Sequence, residues 1–559
     1  MSSRVANGRR RLGRVAVTMG VMAVSLGAVV GTSGAGSTAG AVGADSLNPG
    51  NLLVSRVVYA GAGQLQAGVT DLPPGCTPGA GGCVKAVSDG TYPYVFNNNT
   101  VDSSFGVTAP IFLDELTTGG TVVGSLELPN STQQGVNRVK DQMVTSFSSK
   151  SELALNVSTA GDLVSLMGYL APVGALDVSN SNTPGVVDPT NPVTEQNYRV
   201  VATMDAKGKF RFTETNAYSG NNGRAAIVND SGSASAIYTA GNAGNGGNPQ
   251  PVGVIEGTGT QFLYPETKAQ VAQRPSDPTA LGSFNVTQLG DPIDKVGKDT
   301  NFRGLTIANN VVYLTKGSGG NGVNTVYFVD TTGNACPNGG VGNPQPGATL
   351  ATAPPTFDTN PADVEAMGLT PYNMCVLRGF TTTLAKAKSN NSFPFGVWFA
   401  NPTTLYVADE GNGTNTFAGG TYTAAAAQNT AGLQKWVLNP TTGVWSRAYT
   451  LQTGLNLGQP YTVAGYPTGT NSATGGPWSP ATDGLRNITG RVNADGTATI
   501  WAVTSTVSGS GDQGADPNKL VAVTDTVGAT TLPASESFAT VKAAGFGEVL
   551  RGVSLTPGR

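Results

Sequence analysis

The chemistry open to this chain is limited by its lack of histidine, since none occurs among its 559 residues. This absence excludes Ser-His-Asp triads, Cys-His dyads and haem, zinc, copper or iron held by imidazole. Any catalysis would depend on carboxylates, tyrosine, lysine, arginine, hydroxyl groups or a metal held by oxygen ligands. The residues to examine are therefore its arginines and its carboxylates.

Four arginines recur at equivalent positions, each at the start of a short apolar segment. They are Arg224, Arg303, Arg486 and Arg551. Guanidinium groups brought together in this way would bind a ligand's carboxylate, sulfate or phosphate groups. The alternative, which we expect more often than ligand binding, is that each arginine pairs with a neighbouring acid or carbonyl group and holds the fold together.

Adjacent carboxylates occur at Asp409 and Glu410, where an apolar segment runs into a long connection. Neighbours on a β-strand point to opposite faces, so this pair is not by itself an acid/base dyad. Because of this position, Asp409 and Glu410 are better candidates for a ligand-binding or metal-binding role than the similar pair Asp114 and Glu115. The simpler alternative is a pair of solvated acids at a strand end.

The four cysteines predict two local disulfides. Their close spacing and even number suggest that Cys76 pairs with Cys83 and Cys336 with Cys375. A metal site would need all four thiolates to converge, or added histidines.

These residues lie on a chain that reads as all-β. From residue 50 onward, short β-branched and aromatic segments alternate with Gly, Asn, Asp and Ser turns, and almost no helical periodicity is present. The segments group in fours, which is the internal repeat that propeller blades produce. Complete blades begin near residues 153, 224, 303, 395 and 486.

The two ends of the chain supply the sixth blade. A single inner-type strand at 551–555 is left over at the C-terminus, and three strands without an inner strand begin near residues 52, 111 and 124. Pairing the single C-terminal strand with the three N-terminal strands removes two exposed sheet edges. The sequence thus predicts a six-bladed β-propeller of four-stranded antiparallel blades, whereas a sandwich or a two-domain chain leaves the repeat unexplained.

The connections between strands are of two kinds. Turns between first and second strands and between third and fourth strands are tight, whereas second-to-third connections are long, at 60–109, 170–197, 409–431 and 504–518. Long loops on a rigid scaffold commonly carry function. We therefore place the site on the face that these connections share, the long-loop face.

The N-terminus predicts export. Five arginines in residues 1–14 precede the apolar run 15–30 and a small-residue stretch ending at Ala44, so residues 1–44 form a signal peptide for the Sec or Tat route. Residues 45–559 would be the mature propeller, with no membrane anchor. Without the five leader arginines, 27 basic residues remain against 35 acidic ones, a net charge of about −8 that argues against nucleic acid as a partner.

Two segments carry a family resemblance. The sequences 404–410 and 432–438 are similar to blades of secreted bacterial propellers, distantly those of the NHL and SMP-30/gluconolactonase groups, and the whole mature chain resembles exported bacterial propellers of uncharacterised function. The gluconolactonase group holds a divalent metal with carboxylate and Asn oxygens. Asp483, with Gly484 and the strand at 500–503, resembles its metal-binding aspartate segment, which implies a Ca²⁺ ligand.

Two functions remain open at this point. The first is a secreted, monomeric binding module that contacts an extracellular carbohydrate, polymer or protein through the long-loop face. The second is an extracellular hydrolase or lactonase with an oxygen-ligated divalent cation. A third role, as a structural part of the cell envelope, would retain the protein on the cell.

Overall fold

The computed structural model describes residues 46–58, 71–72, 84–85, 106–146, 151–185, 195–232, 235–242, 259–265, 269, 301–317, 322–332, 334–335, 340–350, 374–385, 392–471, 474–510 and 513–558. The predicted signal peptide and Cys76, Cys83 and Cys336 lie outside these residues. Cys375 is fully buried in its strand. The two disulfide pairings therefore stay predictions.

Nearly all regular structure in these residues is β. In chain order, the strands of the first half are β1 (Leu52–Val58), β2 (Asp71–Leu72), β3 (Val84–Lys85), β4 (Thr108–Ala109), β5 (Ile111–Leu116), β6 (Val122–Glu127), β7 (Thr145–Ser146), β8 (Asn156–Val157), β9 (Leu163–Tyr169), β10 (Arg199–Asp205), β11 (Phe210–Thr215), β12 (Gly223–Asn229), β13 (Ala236–Gly241) and β14 (Thr260–Leu263).

The strands of the second half are β15 (Phe302–Ala308), β16 (Val311–Lys316), β17 (Thr325–Val329), β18 (Val341–Gly342), β19 (Met374–Leu377), β20 (Pro394–Asn401), β21 (Thr404–Asp409), β22 (Phe417–Ala418), β23 (Thr421–Tyr422), β24 (Gly432–Asn439), β25 (Val444–Leu451), β26 (Ala481–Val492), β27 (Thr497–Val507), β28 (Lys519–Thr526), β29 (Ala539–Ala543) and β30 (Glu548–Leu555). The described helices are α1 (Thr423–Ala426) and two 3₁₀ turns, Val178–Asn180 and Gln513–Ala515.

Six antiparallel sheets form the blades of a six-bladed β-propeller, as the sequence predicts. Blades 1 to 5 are β8–β11, β12–β14, β15–β19, β20–β25 without the small β22–β23 hairpin, and β26–β29. Blade 3 departs from four strands because β18 adds to β19 in parallel, and blade 2 has three described strands. Inner strands are buried on both faces because each blade packs between two others, which explains why β12 and β13 are entirely buried.

Blade 6 closes the ring as predicted. Its strand order is β30-β1-β5-β6, with the C-terminal strand paired antiparallel to β1 along its length. Arg56 on β1 ties this sheet together, since its guanidinium lies 2.6 Å from an Asp114 carboxylate oxygen and 2.7 Å from one of Glu548. Burial by itself raises the pKa of Asp114, but the hydrogen bonds and the charge of Arg56 outweigh this effect and leave the pKa below its usual value.

Blades 4 and 5 are joined by a buried polar network. The Lys435 ammonium group lies 2.8 Å from an Asp525 carboxylate oxygen, and both side chains are 1% exposed. The hydroxyl groups of Tyr406 and Tyr449 donate to the same carboxylate. A charge pair this deeply buried is stable only if its other hydrogen-bonding groups also have partners. The two tyrosine hydroxyls are such partners for the Asp525 carboxylate.

Candidate functional site

The four predicted arginines all lie at β-bulges of inner strands. The pairing register shifts across Arg224 in β12, across Arg303 in β15, across Arg486 in β26 and across Arg551 in β30. A bulge breaks the alternation of side chains and redirects the residue it contains. The same device thus repeats in the inner strands of four of the six blades.

Small residues after these positions let the inner strands approach closely. A Cβ atom at Gly304 would lie 2.2 Å from the carbonyl oxygen of Phe395, and one at Gly552 would lie 2.3 Å from that of Leu153. At the corresponding position of blade 5 the Asn487 side chain instead accepts a hydrogen bond from the backbone of Val553, at 2.7 Å. The bulge residues therefore form a tight ring around the axis.

Three of the arginines form what we call the arginine cluster: Arg224, Arg303 and Arg486. Glu410 joins two of them, with its carboxylate oxygens 3.5 Å from an Arg303 nitrogen and 3.2 Å from Arg486 Nε. Arg303 and Arg486 therefore each pair with a neighbouring acid, which is the alternative to ligand binding that the sequence leaves open. Glu410 is itself fixed, because its amide donates to the Phe393 carbonyl at 2.9 Å and its carbonyl accepts from the Ser505 hydroxyl at 2.6 Å.

Arg224 is different, because within the described residues no carboxylate lies at ion-pair distance from it. Its guanidinium donates to the Phe302 carbonyl at 2.8 Å and to the side chain of Asn301. The residue is 5% exposed and its Nε atom has no hydrogen-bond partner in the described structure. Burial, and next the charge of Arg303, hold the pKa of Arg224 well below its ordinary value.

Arg551 stands apart from the cluster. Its guanidinium donates to the Gly514 carbonyl at 2.9 Å, in the long connection of blade 5. This contact anchors that loop to the inner strand of blade 6.

The two predicted carboxylates have separate roles. Asp409 accepts hydrogen bonds from the Ser392 hydroxyl at 2.6 Å, the Phe393 amide at 2.8 Å and the Gln434 amide at 3.0 Å. Burial nevertheless raises its pKa. Asp409 thus bonds to the segment before β20 and to β24, whereas Glu410 contacts arginines.

Asp483 lies close to this pair, beside the loop that follows Glu410. Its carboxylate accepts hydrogen bonds from the Gly413 amide at 2.8 Å and the Gln428 side-chain amide at 2.6 Å. Burial raises the pKa of Asp483 to about 7, with smaller contributions from the charges of Glu410 and Asp409.

The geometry around Asp483 bears on the calcium hypothesis. Its oxygens meet N–H donors, which repel a cation, and in the described part of the chain no three Asp, Glu or Cys side chains form a group that could hold a metal ion. The Ca²⁺ ligand at Asp483 stays a prediction, which metal analysis of the purified protein would test.

The sequence did not indicate Glu152, a buried acid close to the cluster. It accepts hydrogen bonds from the Tyr169 hydroxyl, from Thr145 Oγ1 at 2.7 Å and from Asn222 Nδ2 at 3.3 Å. Burial, and next the charge of Glu152, raise the pKa of Tyr169 well above its ordinary value. No spacing signal relates these residues, because Thr145 lies on β7 and Tyr169 on β9, whereas Glu152 and Asn222 precede the inner strands of blades 1 and 2.

The opposite, tight-turn face also carries a cavity that the sequence did not indicate. Its volume is about 560 Å³ and its described lining residues are all uncharged. The inner strand of every blade contributes, through Val157, Ile227, Ile307, Val397, Ile488 and Leu555. The cavity is the open end of the central channel, and the ring of bulges lies at its other end.

Among the described residues no helix is long and apolar enough to cross a membrane.

No protein-family model and no curated protein matches this sequence. Similar solved structures include NanB with optactamide, at 7% identity and a TM-score of 0.33 over 73% of this chain and 62% of NanB, less than two thirds of its length. A second is an ulvan lyase of polysaccharide lyase family PL25, at 12% identity and a TM-score of 0.28 over 80% of this chain and 88% of the lyase. A third is the GH74 enzyme of Niastella koreensis, at 12% identity and a TM-score of 0.23 over 81% of this chain and 73% of that enzyme.

Similarities this low identify neither a family nor an activity, and the propeller assignment rests on the strand pairing itself. None of them bears on the resemblance to the NHL and gluconolactonase groups. That resemblance stays a prediction.

Proposed function

We propose that this propeller is an exported binding module whose long-loop face recognises an anionic carbohydrate, one that carries carboxylate or sulfate groups. The observation that carries the proposal is Arg224, a buried guanidinium with an unpartnered Nε and no carboxylate at ion-pair distance among the described residues. A buried charge without an opposite charge is costly, and an anionic ligand would supply that charge.

The charge balance of the cluster supports an anion as ligand. Of its three guanidinium groups, those of Arg303 and Arg486 share one carboxylate, that of Glu410, and Arg224 has no carboxylate at ion-pair distance within the described structure. Glu152 influences Arg224 electrostatically but is already hydrogen-bonded to Tyr169, Thr145 and Asn222. Guanidinium groups bind carboxylate and sulfate oxygens through two parallel N–H donors, which favours these groups over a neutral polyol.

Export of the chain is part of the proposal and rests on the arginine-rich, apolar N-terminus. A carbohydrate outside the cell is then an accessible ligand. Because the mature chain is acidic overall, we expect cationic recognition to be confined to the arginine cluster.

Binding measurements with matched polymers test this function. We expect the protein to bind polygalacturonate or dextran sulfate in calorimetry and not to bind uncharged dextran. Arg224→Gln should weaken that binding about tenfold or more, since one charge-assisted contact contributes about 1.5–3 kcal/mol. Arg224→Lys, which keeps the charge, should recover part of the loss.

Arg211→Gln is the matched control, because Arg211 is exposed on the outer strand β11. Its affinity should equal that of the wild type. Wild-type protein that binds neither anionic polymer, or equal affinities for Arg224→Gln and Arg211→Gln, would overturn the proposal that Arg224 binds an anion.

A further inference from the structure

A groove between blades 3 and 4 is independent of the arginine cluster. It has a volume of about 750 Å³ and lies between the end of blade 3, at Phe380, and the outer strands β24 and β25 of blade 4. We call it the aromatic groove, after Phe380, Trp436 and Trp445, which line it. None of the predicted site residues lines this groove.

The aromatic side chains are held in fixed positions. The rings of Phe380 and Trp436 stack with their centroids 3.9 Å apart and their planes 20° apart. Trp436 Nε1 donates to Gln434 Oε1 at 3.1 Å, and this hydrogen bond restrains the rotation of the indole ring. Phe380 and Trp445 are buried, whereas Trp436 is half-buried and so retains surface that a ligand can cover.

The polar groups of the groove are hydroxyl and amide groups. Thr325 is 1% exposed and its Oγ1 atom has no hydrogen-bond partner in the described structure, although the residue lines the groove. Asn429 and Thr383 are exposed at its rim. A buried hydroxyl without a partner costs about 1–3 kcal/mol, so a ligand hydroxyl within reach of Thr325 would be stabilising.

The charge of the groove excludes a strongly ionic ligand. Its described lining residues include no carboxylate and no lysine, and the arginine among them, Arg447, is exposed at its edge. An aromatic surface beside hydroxyl and amide groups is complementary to a pyranose ring, which has a C–H face and a rim of hydroxyl groups.

We propose that the aromatic groove binds a neutral segment of an oligosaccharide, with a sugar ring packed on Trp436 and a sugar hydroxyl bonded to Thr325. Ser392 and Gln434 line the groove and also donate to Asp409, the residue before Glu410. The groove therefore adjoins the long-loop face. It is a second site, and its proposal does not depend on the anion site.

Tryptophan fluorescence and saturation-transfer NMR test the groove with cellohexaose, xylohexaose, mannohexaose and chitohexaose. We expect at least one of these neutral probes to bind the full-length protein. Trp436→Leu, which keeps apolar volume but removes the ring, should reduce affinity at least tenfold. Thr325→Val should reduce it several-fold while leaving the melting temperature unchanged or raised, because it removes an unpartnered hydroxyl.

Phe417→Leu is the control, since Phe417 is an exposed aromatic residue outside the groove. Binding should be unaffected in this variant and also in Arg224→Gln, which separates the groove from the anion site. Failure of all four probes to bind, or binding that survives both Trp436→Leu and Thr325→Val, would overturn the proposal.

Discussion

At the scale of single residues, Asp483 shows how burial changes an acid. The carboxyl group accepts two hydrogen bonds, yet its pKa rises from 3.8 to about 7, because burial penalises the charged form more than those bonds favour it. The folded state then keeps a proton that the unfolded chain has already released. This difference links the stability of the protein to pH.

We therefore expect the free energy of unfolding to fall as the pH rises from about 4 to about 7. A shift of this size corresponds to a loss on the order of 4 kcal/mol across the window, with little further change above it. Asp483→Asn should flatten this dependence in urea unfolding at pH 5.0 and 7.5. Burial also raises the pKa of Glu536 to about 7, so part of the dependence should remain in the variant.

Asp162→Asn provides the control, since Asp162 is an exposed acid in a turn of blade 1. Its pH dependence should match that of the wild type. A wild-type protein as stable at pH 7.5 as at pH 5.0, or a slope unchanged by Asp483→Asn, would show that Asp483 is ionised throughout this range.

The residue scale also shows which contacts the arginines make. Arg303 and Arg486 pair with Glu410, whereas Arg551 and Arg224 donate to backbone carbonyls, so all four make contacts that hold the fold together. Arg224 differs from the two paired arginines in having an unpartnered Nε and no carboxylate at ion-pair distance within the described residues, and the proposed anion site depends on it. Sequence could not separate it from the others, because the four occupy equivalent positions and differ only in what lies opposite.

At the scale of elements, the inner strands depend on small residues for their close approach. The nearest atoms to a Cβ at Gly304 and at Gly396 would be the backbone carbonyl oxygens of Phe395 and Arg486, at 2.2 and 2.5 Å. Backbone atoms cannot rotate aside as the end of a long side chain can. Each inner strand therefore has to shift if its neighbour gains a methyl group.

We expect Gly304→Ala and Gly396→Ala each to destabilise the protein by about 1–3 kcal/mol, as overpacking of a core does. The measurement is the midpoint of denaturant unfolding. Gly528→Ala is the matched control, because no atom lies within 4 Å of a Cβ there and its backbone is not left-handed. Equal midpoints for the three variants would show that the ring of bulges relaxes without cost.

At the scale of the whole molecule, the ring is closed by noncovalent pairing of the two ends. The C-terminal strand β30 is the inner strand of a blade whose other strands come from the N-terminal region. Because β30 packs against β1, β26 and β27, its contacts join the N-terminal strands of blade 6 to blade 5. The stability of every blade then depends on this pairing.

Deletion of residues 548–559 should abolish cooperative unfolding, since it exposes β1 and the face of β26 and leaves an open sheet edge prone to association. Circular dichroism during denaturant titration measures this loss, and light scattering measures association. A synthetic peptide of residues 548–559 added in trans should restore a cooperative transition. A truncated chain that unfolds with wild-type cooperativity would mean that closure contributes little.

The sequence by itself determined the class of fold and most of its strands. Alternating β-branched segments and tight turns specify strands locally, and the repeat of four strands specifies blades, so the sixth blade and its closure could be deduced from the unpaired strands at each end. The fifth strand of blade 3 was missed, because its two residues, Val341 and Gly342, are too few to give a periodic signal.

Only the tertiary structure decided the chemistry of the site. Burial of Arg224, the sharing of Glu410 between Arg303 and Arg486, and the raised pKa of Asp483 arise from residues far apart in sequence that the ring brings together. The aromatic groove likewise needs Phe380 of one blade and Trp436 of the next. Sequence patterns record the spacing within a blade, whereas electrostatics and stacking depend on distances between blades, which no local pattern encodes.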